Sequence, residues 1–235
     1  ASVHSFAIEN FPAGEYKVNV QVKGSDATIQ SSLLDTPLSV TKLQTPQNLQ
    51  AIKNEATCTV QWARVDGATS YLVKLVGNST QQFYVQNSND ASISYSFNSA
   101  VISSSTNLIS VQAIGSDATE QSISYINSEF CREITIDKLS TPILDMSEIS
   151  NGVVAWNMVS NAGGYEVAIS SATGEAITTY STSANRANLN DDIINNAELS
   201  AGSYIIKVRA VAKQNSLTFN GDYSEAVKVN KLPSN

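Results

Sequence analysis

"VQWARVDGATSYLVKL" runs from Val60 to Leu75, and "VAWNMVSNAGGYEVAI" from Val154 to Ile169. With one laid over the other, Trp62 meets Trp156 and Tyr71 meets Tyr165, each pair 94 residues apart. In the second half of each segment, Tyr71, Val73 and Leu75 alternate with their neighbours, as Tyr165, Val167 and Ile169 do. A period of two with one apolar side is the pattern of a half-buried strand. Asp66-Gly67, Asn151-Gly152 and Asn220-Gly221 are turn signals of the kind that favours positive φ.

The same spacing governs the rest of the chain. Lys-Leu occurs at Lys42-Leu43, Lys138-Leu139 and Lys231-Leu232, separated by 96 and then 93 residues. The first two pairs lead into Gln44-Thr45-Pro46 and Ser140-Thr141-Pro142. Gly-Ser-Asp-Ala-Thr occurs at 24–28 and again at 115–119. Tyr16, Val18, Val20 and Val22 alternate with polar residues, and their counterparts are Tyr204, Ile206, Val208 and Ala210. A period above 90 residues is that of a whole domain rather than a solenoid unit. No stretch longer than a turn or two keeps a 3.6-residue period, so short strands at regular spacing predict an all-β sandwich.

These segments resemble fibronectin type III repeats of the bacterial surface-protein kind. The resemblance lies in Trp62 or Trp156 on the second strand, a short loop with Ala, and Tyr71-x-Val73 or Tyr165-x-Val167 on the third. "LSAGSYIIKVRAVA" (Leu199 to Ala212) is similar to the sixth strand of that family with its tyrosine corner, and "YSEAVKV" (Tyr223 to Val229) to the start of the seventh. The resemblance implies tandem immunoglobulin-like β-sandwiches, the first incomplete, and little about activity. True immunoglobulin spacing is absent: Trp62 follows Cys58 by four residues on one strand, and the last repeat has no Cys.

The expected organisation is a partial repeat at 1–43, aligned with the last three strands only, and full domains at 44–139 and 140–235. Both Gly-Ser-Asp-Ala-Thr copies then fall in the loop between the sixth and seventh strands, with Gly supplying permissive φ and Ser and Asp bonding their own backbone. Structural core positions are Trp62, Tyr71, Trp156, Tyr165, Tyr16 and Tyr204. The middle repeat has Asn107 where the others have Tyr16 and Tyr204. Without a tyrosine corner it is expected to be the softer domain unless Cys58 or other packing compensates. Phe6, Ile8, Phe11, Val18, Val20 and Val22 of the partial repeat need a cover, which implies either excision from a longer array or completion by another chain.

Composition narrows the function. Hydrophobic residues make up 42%, charged residues only 15%, and the net charge is −7. No Lys/Arg cluster exists, which argues against a nucleic-acid partner. No apolar run is long enough to span a bilayer as a helix. Ala1 opens the chain with neither Met nor a signal peptide, which reads as a mature or excised fragment. The two cysteines, Cys58 and Cys131, could form one disulfide, but the family's topology places them toward opposite poles, so two thiols are expected.

Candidate chemistry is sparse. His4 is the only His, so a Ser-His-Asp or Cys-His system is not expected in either full repeat, nor is a zinc site. Asn190, Asp191 and Asp192 are the candidates for a Ca²⁺ site. Their stretch lacks the Gly and distal Glu of an EF-hand, and a solvated loop is the expectation. Phe83 and Tyr84 could offer a sugar platform, but alternation turns Phe83 inward and leaves one outward Tyr. Asn78-Ser79-Thr80 is an N-glycosylation sequon.

The expectation is therefore a non-catalytic extracellular or cell-surface spacer or adhesion array within a larger surface or secreted protein. It needs no cofactor, meets a protein or glycan partner, and does not insert into a membrane. Two alternatives stand beside it: an ancillary region of a secreted polysaccharide-acting enzyme, and an assembly subunit whose partial repeat self-associates through residues 1–43. The short Thr-Pro links predict a semi-rigid row of domains.

Overall fold

The computed structural model of this chain describes all residues except 1–4, 6, 9, 26–28, 34–35, 117–123, 191–192, 194–198 and 234–235. The described chain is all-β. The partial repeat contributes an antiparallel pair, β1 (Gly14–Val18) and β2 (Leu38–Lys42). The strand expected before these falls largely outside the described residues.

The middle repeat supplies β3 (Gln50–Lys53), β4 (Thr57–Ala63), β5 (Ser70–Val76), β6 (Thr80–Gln86), β7 (Ser92–Asn98) and β8 (Thr106–Ile114). After β8 come a short β9 (Ser124–Ile126) and β10 (Ile134–Lys138). One sheet has the order β3-β4-β7, and the other contains β10-β8-β5-β6. The last repeat repeats this plan with β11 (Leu144–Asp145), β12 (Val153–Trp156), β13 (Ala162–Ser171), β14 (Ala176–Thr182), β15 (Arg186–Asn188), β16 (Gly202–Ala212), a short β17 (Thr218–Phe219) and β18 (Val227–Lys231). Its sheets are β11-β12-β15 and β14-β13-β16-β18. Three strands in one sheet and four in the other is the division that the fibronectin type III resemblance implies, and it occurs twice along the chain.

By contacts the described chain forms two compact units. One comprises 1–52, 58–97 and 108–134; the other comprises 53–57, 98–107 and 135–235. In the first, alternation along β4 buries Cys58, Val60 and Trp62, and that along β5 buries Tyr71, Val73 and Leu75. In the second, Trp156, Tyr165, Val167, Ile169, Tyr204, Ile206, Val208 and Ala210 share one hydrophobic cluster.

Each Trp meets its Tyr edge-on, at 5.3 Å and 63° for Trp62–Tyr71 and 5.3 Å and 65° for Trp156–Tyr165. The buried phenol does a second job. The Tyr71 hydroxyl accepts the Val65 N–H at 2.7 Å, and the Tyr165 hydroxyl accepts the Val159 N–H at 2.8 Å. Each Tyr thereby fixes the loop that leads into its own strand, and a buried backbone donor is satisfied.

Two sequence expectations are corrected here. Gly24 and Gly115 are not at positive φ. A Cβ on Gly24 would lie 1.8 Å from the Ile29 carbonyl oxygen, and one on Gly115 would lie 1.7 Å from that of Tyr125. The glycine of each repeated pentapeptide is there because the returning backbone leaves no room for a side chain; Asp26–Thr28 and Asp117–Thr119 lie outside the described residues.

The second correction concerns the missing tyrosine corner. The Tyr16 hydroxyl donates to the Pro12 carbonyl at 2.7 Å and that of Tyr204 to the Ser200 carbonyl at 2.6 Å, four residues back in each case. Asn107 also reaches four residues back, its Nδ2 donating to the Ser103 carbonyl at 3.0 Å. That amide also donates to the Ser105 and Ile136 carbonyls, while its Oδ1 accepts the Ser103 N–H and hydroxyl. Asn107 is 1% exposed and replaces one hydroxyl bond with a network. The expected softness of the middle repeat therefore lacks its stated cause.

Candidate functional site

The sequence candidates do not converge on one place. Cys58 and Cys131 are both buried thiols with no disulfide between them. Burial pushes the Cys131 thiol above its ordinary value, partly offset by the Val111 N–H that donates to its sulfur at 3.3 Å. Asp191 and Asp192 lie outside the described residues, as does His4; the Asn190 side-chain amide donates to the Asn151 carbonyl at 3.3 Å. Phe83 stacks on Tyr95 at 5.1 Å and on Phe97 at 6.2 Å, while Tyr84 stands out from the sheet. Asn78 is exposed on the β5–β6 hairpin. Among the described residues, no group of three or more His, Cys, Asp or Glu is placed to hold a metal ion.

The most specific polar chemistry lies instead where one repeat hands over to the next. The seventh strands of the first two repeats each gain an extra neighbour from the loop between the sixth and seventh strands of the repeat that follows. Within the first unit, β9 runs parallel to β2, with Val40 opposite Ser124, Thr41 opposite Tyr125 and Lys42 opposite Ile126. Within the second, β17 runs parallel to β10, with Asp137 opposite Thr218 and Lys138 opposite Phe219.

The details of the two joints match atom for atom. The Leu43 N–H donates to the Ile126 carbonyl at 3.0 Å, and the Leu139 N–H to the Phe219 carbonyl at 3.1 Å. Both leucines are buried, at 2% and 4% exposure. The Lys42 ammonium pairs with Glu129 at 2.7 Å, and that of Lys138 with Asp222 at 2.8 Å. In each pair the lysine is buried and the carboxylate faces solvent, an arrangement that covers the lysine stem while its charge stays neutralised. The loop is held to its own repeat by an Asn: Asn127 Oδ1 accepts the Gly115 N–H at 2.8 Å, and Asn220 Oδ1 accepts the Ala212 N–H at 2.9 Å.

Close approach shapes both joints. A Cβ on Gly221 would lie 2.8 Å from the Ser140 carbonyl oxygen, so the second joint has no room for one; φ there is not positive, contrary to the expectation from Asn220-Gly221. Gly67, which is at φ 81°, lies under the Tyr125 ring. Lys53 lies over the Phe219 ring at 5.4 Å.

The joint residues form a pattern: Lys-Leu on the receiving strand, and apolar-Asn-small-acid on the loop, as Ile126-Asn127-Ser128-Glu129 and Phe219-Asn220-Gly221-Asp222. Half of this was visible as the Lys-Leu repeat. The loop half was hidden by the shift from 96 to 93 residues between the two parts of the pattern and by its conservative replacements. Its signal was the Asn before a small residue and an acid, which turn chemistry alone also explains.

A second polar cluster lies on the four-stranded sheet of the last repeat. Arg209 pairs with Glu166 at 2.7 Å and lies over the Tyr223 ring at 5.0 Å, and the Tyr223 hydroxyl donates to the same Glu166 carboxylate. Burial and the bond to Glu166 push the Tyr223 phenol up to about 12. Burial raises the Glu166 carboxyl, but the Arg209 and Tyr223 bonds and the Arg209 charge outweigh it and leave the carboxyl below its ordinary value.

No family model and no curated protein matches the chain. Among solved structures, it is similar to a segment of two fibronectin type III domains from chicken tenascin, at 13% identity and a TM-score of 0.34, covering 80% of this chain and 100% of that one. It is also similar to the first three fibronectin domains of chicken contactin, at 13% identity and a TM-score of 0.30, covering 86% of this chain and 72% of that one.

Proposed function

We propose that this chain is a non-catalytic extracellular spacer or adhesion module. The observation that supports this reading is the joint. Two successive handovers use the same strand bridge and the same lysine–carboxylate pair, whereas candidate catalytic and metal residues are scattered or lie outside the described residues. Repeated investment in the links suits a part whose work is to hold its neighbours in order. Any protein or glycan partner is met through the surrounding loops.

The test is replacement. Placed between a surface anchor and a ligand-binding head, the chain should support the head's binding. An unrelated pair of sandwiches of equal length should do so equally well. Loss of binding on replacement, or turnover of a polysaccharide by the purified chain, would overturn the spacer reading.

The assembly alternative draws on a separate observation: Val20 and Val22 of the partial repeat are 70% and 69% exposed. Completion by another chain would cover them. Sedimentation of the full chain against one starting at Gln44 tests it, with a defined oligomer expected only for the full chain.

A further inference from the structure

The two joints define a socket, and its receiving strand occurs a third time with no loop paired to its outer edge among the described residues. In the sheets of the first two joints, β2 lies between β1 and β9, and β10 between β8 and β17. In the third copy, β18 pairs with β16 and ends its sheet. Lys231 is 9% exposed, and its ammonium donates to the Leu199 carbonyl at 2.9 Å, so this lysine is already folded into place. Leu232 is 78% exposed, whereas Leu43 and Leu139 are 2% and 4% exposed. Leu139 belongs to the core cluster of the repeat that follows it, and Leu43 and Leu139 each donate their N–H to that repeat's loop.

We propose that the outer edge of β18, with Lys231 and Leu232, is a docking site for the loop between the sixth and seventh strands of a further repeat of this kind. The occupant must carry an apolar residue, an Asn, a small residue and an acid in that order. The apolar residue offers its carbonyl to the Leu232 N–H, as Ile126 and Phe219 do to Leu43 and Leu139. The acid reaches the Lys231 ammonium. The inference stands on the geometry of the two filled joints and goes beyond the spacer reading.

The loop of the partial repeat is the wrong plug, which bears on the choice of occupant. Its hydrogen bonds place it in the same frame. Ser32 N–H donates to the Val22 carbonyl at 2.8 Å, as Ser128 N–H does to Ala113 at 3.0 Å, and Gly24 N–H donates to Ser31 Oγ at 3.2 Å, as Gly115 does to Asn127. Gln30 then stands where Ile126 and Phe219 stand, and Leu33 where Glu129 and Asp222 stand. A polar residue in the apolar place and a leucine in the acidic place make a second copy of this chain, docking head to tail, a poor match.

The test extends the full chain by grafting a copy of residues 140–235 directly after Leu232 and following amide exchange. The Leu232 amide should become as protected as the Leu139 amide of the same molecule. A graft whose copies carry Phe219→Gln and Asp222→Leu should leave Leu232 exchanging as in the unextended chain, with Leu43 and Leu139 still protected. A parallel graft of residues 44–139 presents Ile126 and Glu129 and repeats the test should the first graft fold poorly. Unchanged exchange at Leu232 in a folded extension would overturn the proposal. So would protection of Leu232 in the unextended chain that rises with concentration, which would make a second copy the occupant.

Discussion

The middle and last repeats share one scaffold but fasten it with different residues. Both set Trp against Tyr at 5.3 Å and use the phenol to hold the preceding loop. At the sixth-strand corner, the last repeat uses the Tyr204 hydroxyl and the middle one the Asn107 carboxamide, each bonded to the carbonyl four residues back. At the start of the seventh-strand segment, the Ser224 hydroxyl accepts the Val208 N–H at 3.0 Å, and the Cys131 sulfur accepts the Val111 N–H at 3.3 Å. The geometry is kept while the chemistry changes, because each position is defined by the backbone group it must satisfy. Residue identity is free to vary as long as that group finds a partner.

The largest effect should come from the shared feature. Trp62→Ala and Trp156→Ala should each cost about 3–5 kcal/mol, since both rings are buried and leave a cavity. Urea melts followed by far-UV dichroism would read this. A loss below about 1 kcal/mol for either would show that the matched cores are not equivalent in energy.

The corner positions sharpen the contrast. Asn107→Ala removes a fully bonded buried amide and leaves the Ser103 N–H and several carbonyls without it, so about 2–4 kcal/mol is expected. Tyr204→Phe removes one hydroxyl bond, for about 1 kcal/mol. Equilibrium melts of the two variants should show Asn107→Ala as the more damaging. The reverse order would restore the expectation that the middle repeat is the weaker.

Much of this was legible in the sequence. Alternation placed Trp62, Tyr71, Trp156, Tyr165 and Tyr204 in the core, because period two and burial are tied by the geometry of a strand; Tyr16, expected there too, is only half-buried in the partial repeat. Asn107 was misread because absence of a Tyr says nothing about what the substitute bonds to. The φ explanation of the repeated pentapeptide's glycines fails because their cause is the returning backbone of the same loop, at Ile29 and at Tyr125. The joints were only half legible because Lys-Leu repeats in one frame and its loop partner in another, and only the fold brings the two together.

The joint ion pairs give a smaller effect. Glu129→Gln and Asp222→Asn should each cost about 1 kcal/mol, since the carboxylates face solvent. The loss should shrink with added salt. Matched values in thermal melts would support one joint design used twice, and a loss at one joint alone would separate them.

The smallest effect is confined to the last repeat. The Glu166 carboxyl lies below its ordinary 4.5, so its contribution is present above that value and lost as pH falls through the folded one. The Tyr223 phenol is raised from 10 to about 12, so its contribution is full below pH 10 and lost as pH rises toward 12. Tyr223→Phe should remove one phenol from the step near pH 12 in an ultraviolet titration. Its stability difference from the parent should vanish over the same range. A Tyr223 phenol titrating near 10 would contradict the cluster.

The joint itself is tested most directly by exchanging its plug. Ile126→Gln and Glu129→Leu together give the first joint's loop the residues that the partial repeat carries at these positions. The Leu43 amide, protected in the parent chain by its bond to the Ile126 carbonyl, should then exchange freely, while the Leu139 amide and the core amides of β5 and β8 stay protected. A Leu43 amide as slow as before, in a variant whose sandwiches remain folded, would show that the apolar-Asn-small-acid pattern does not hold the repeats together.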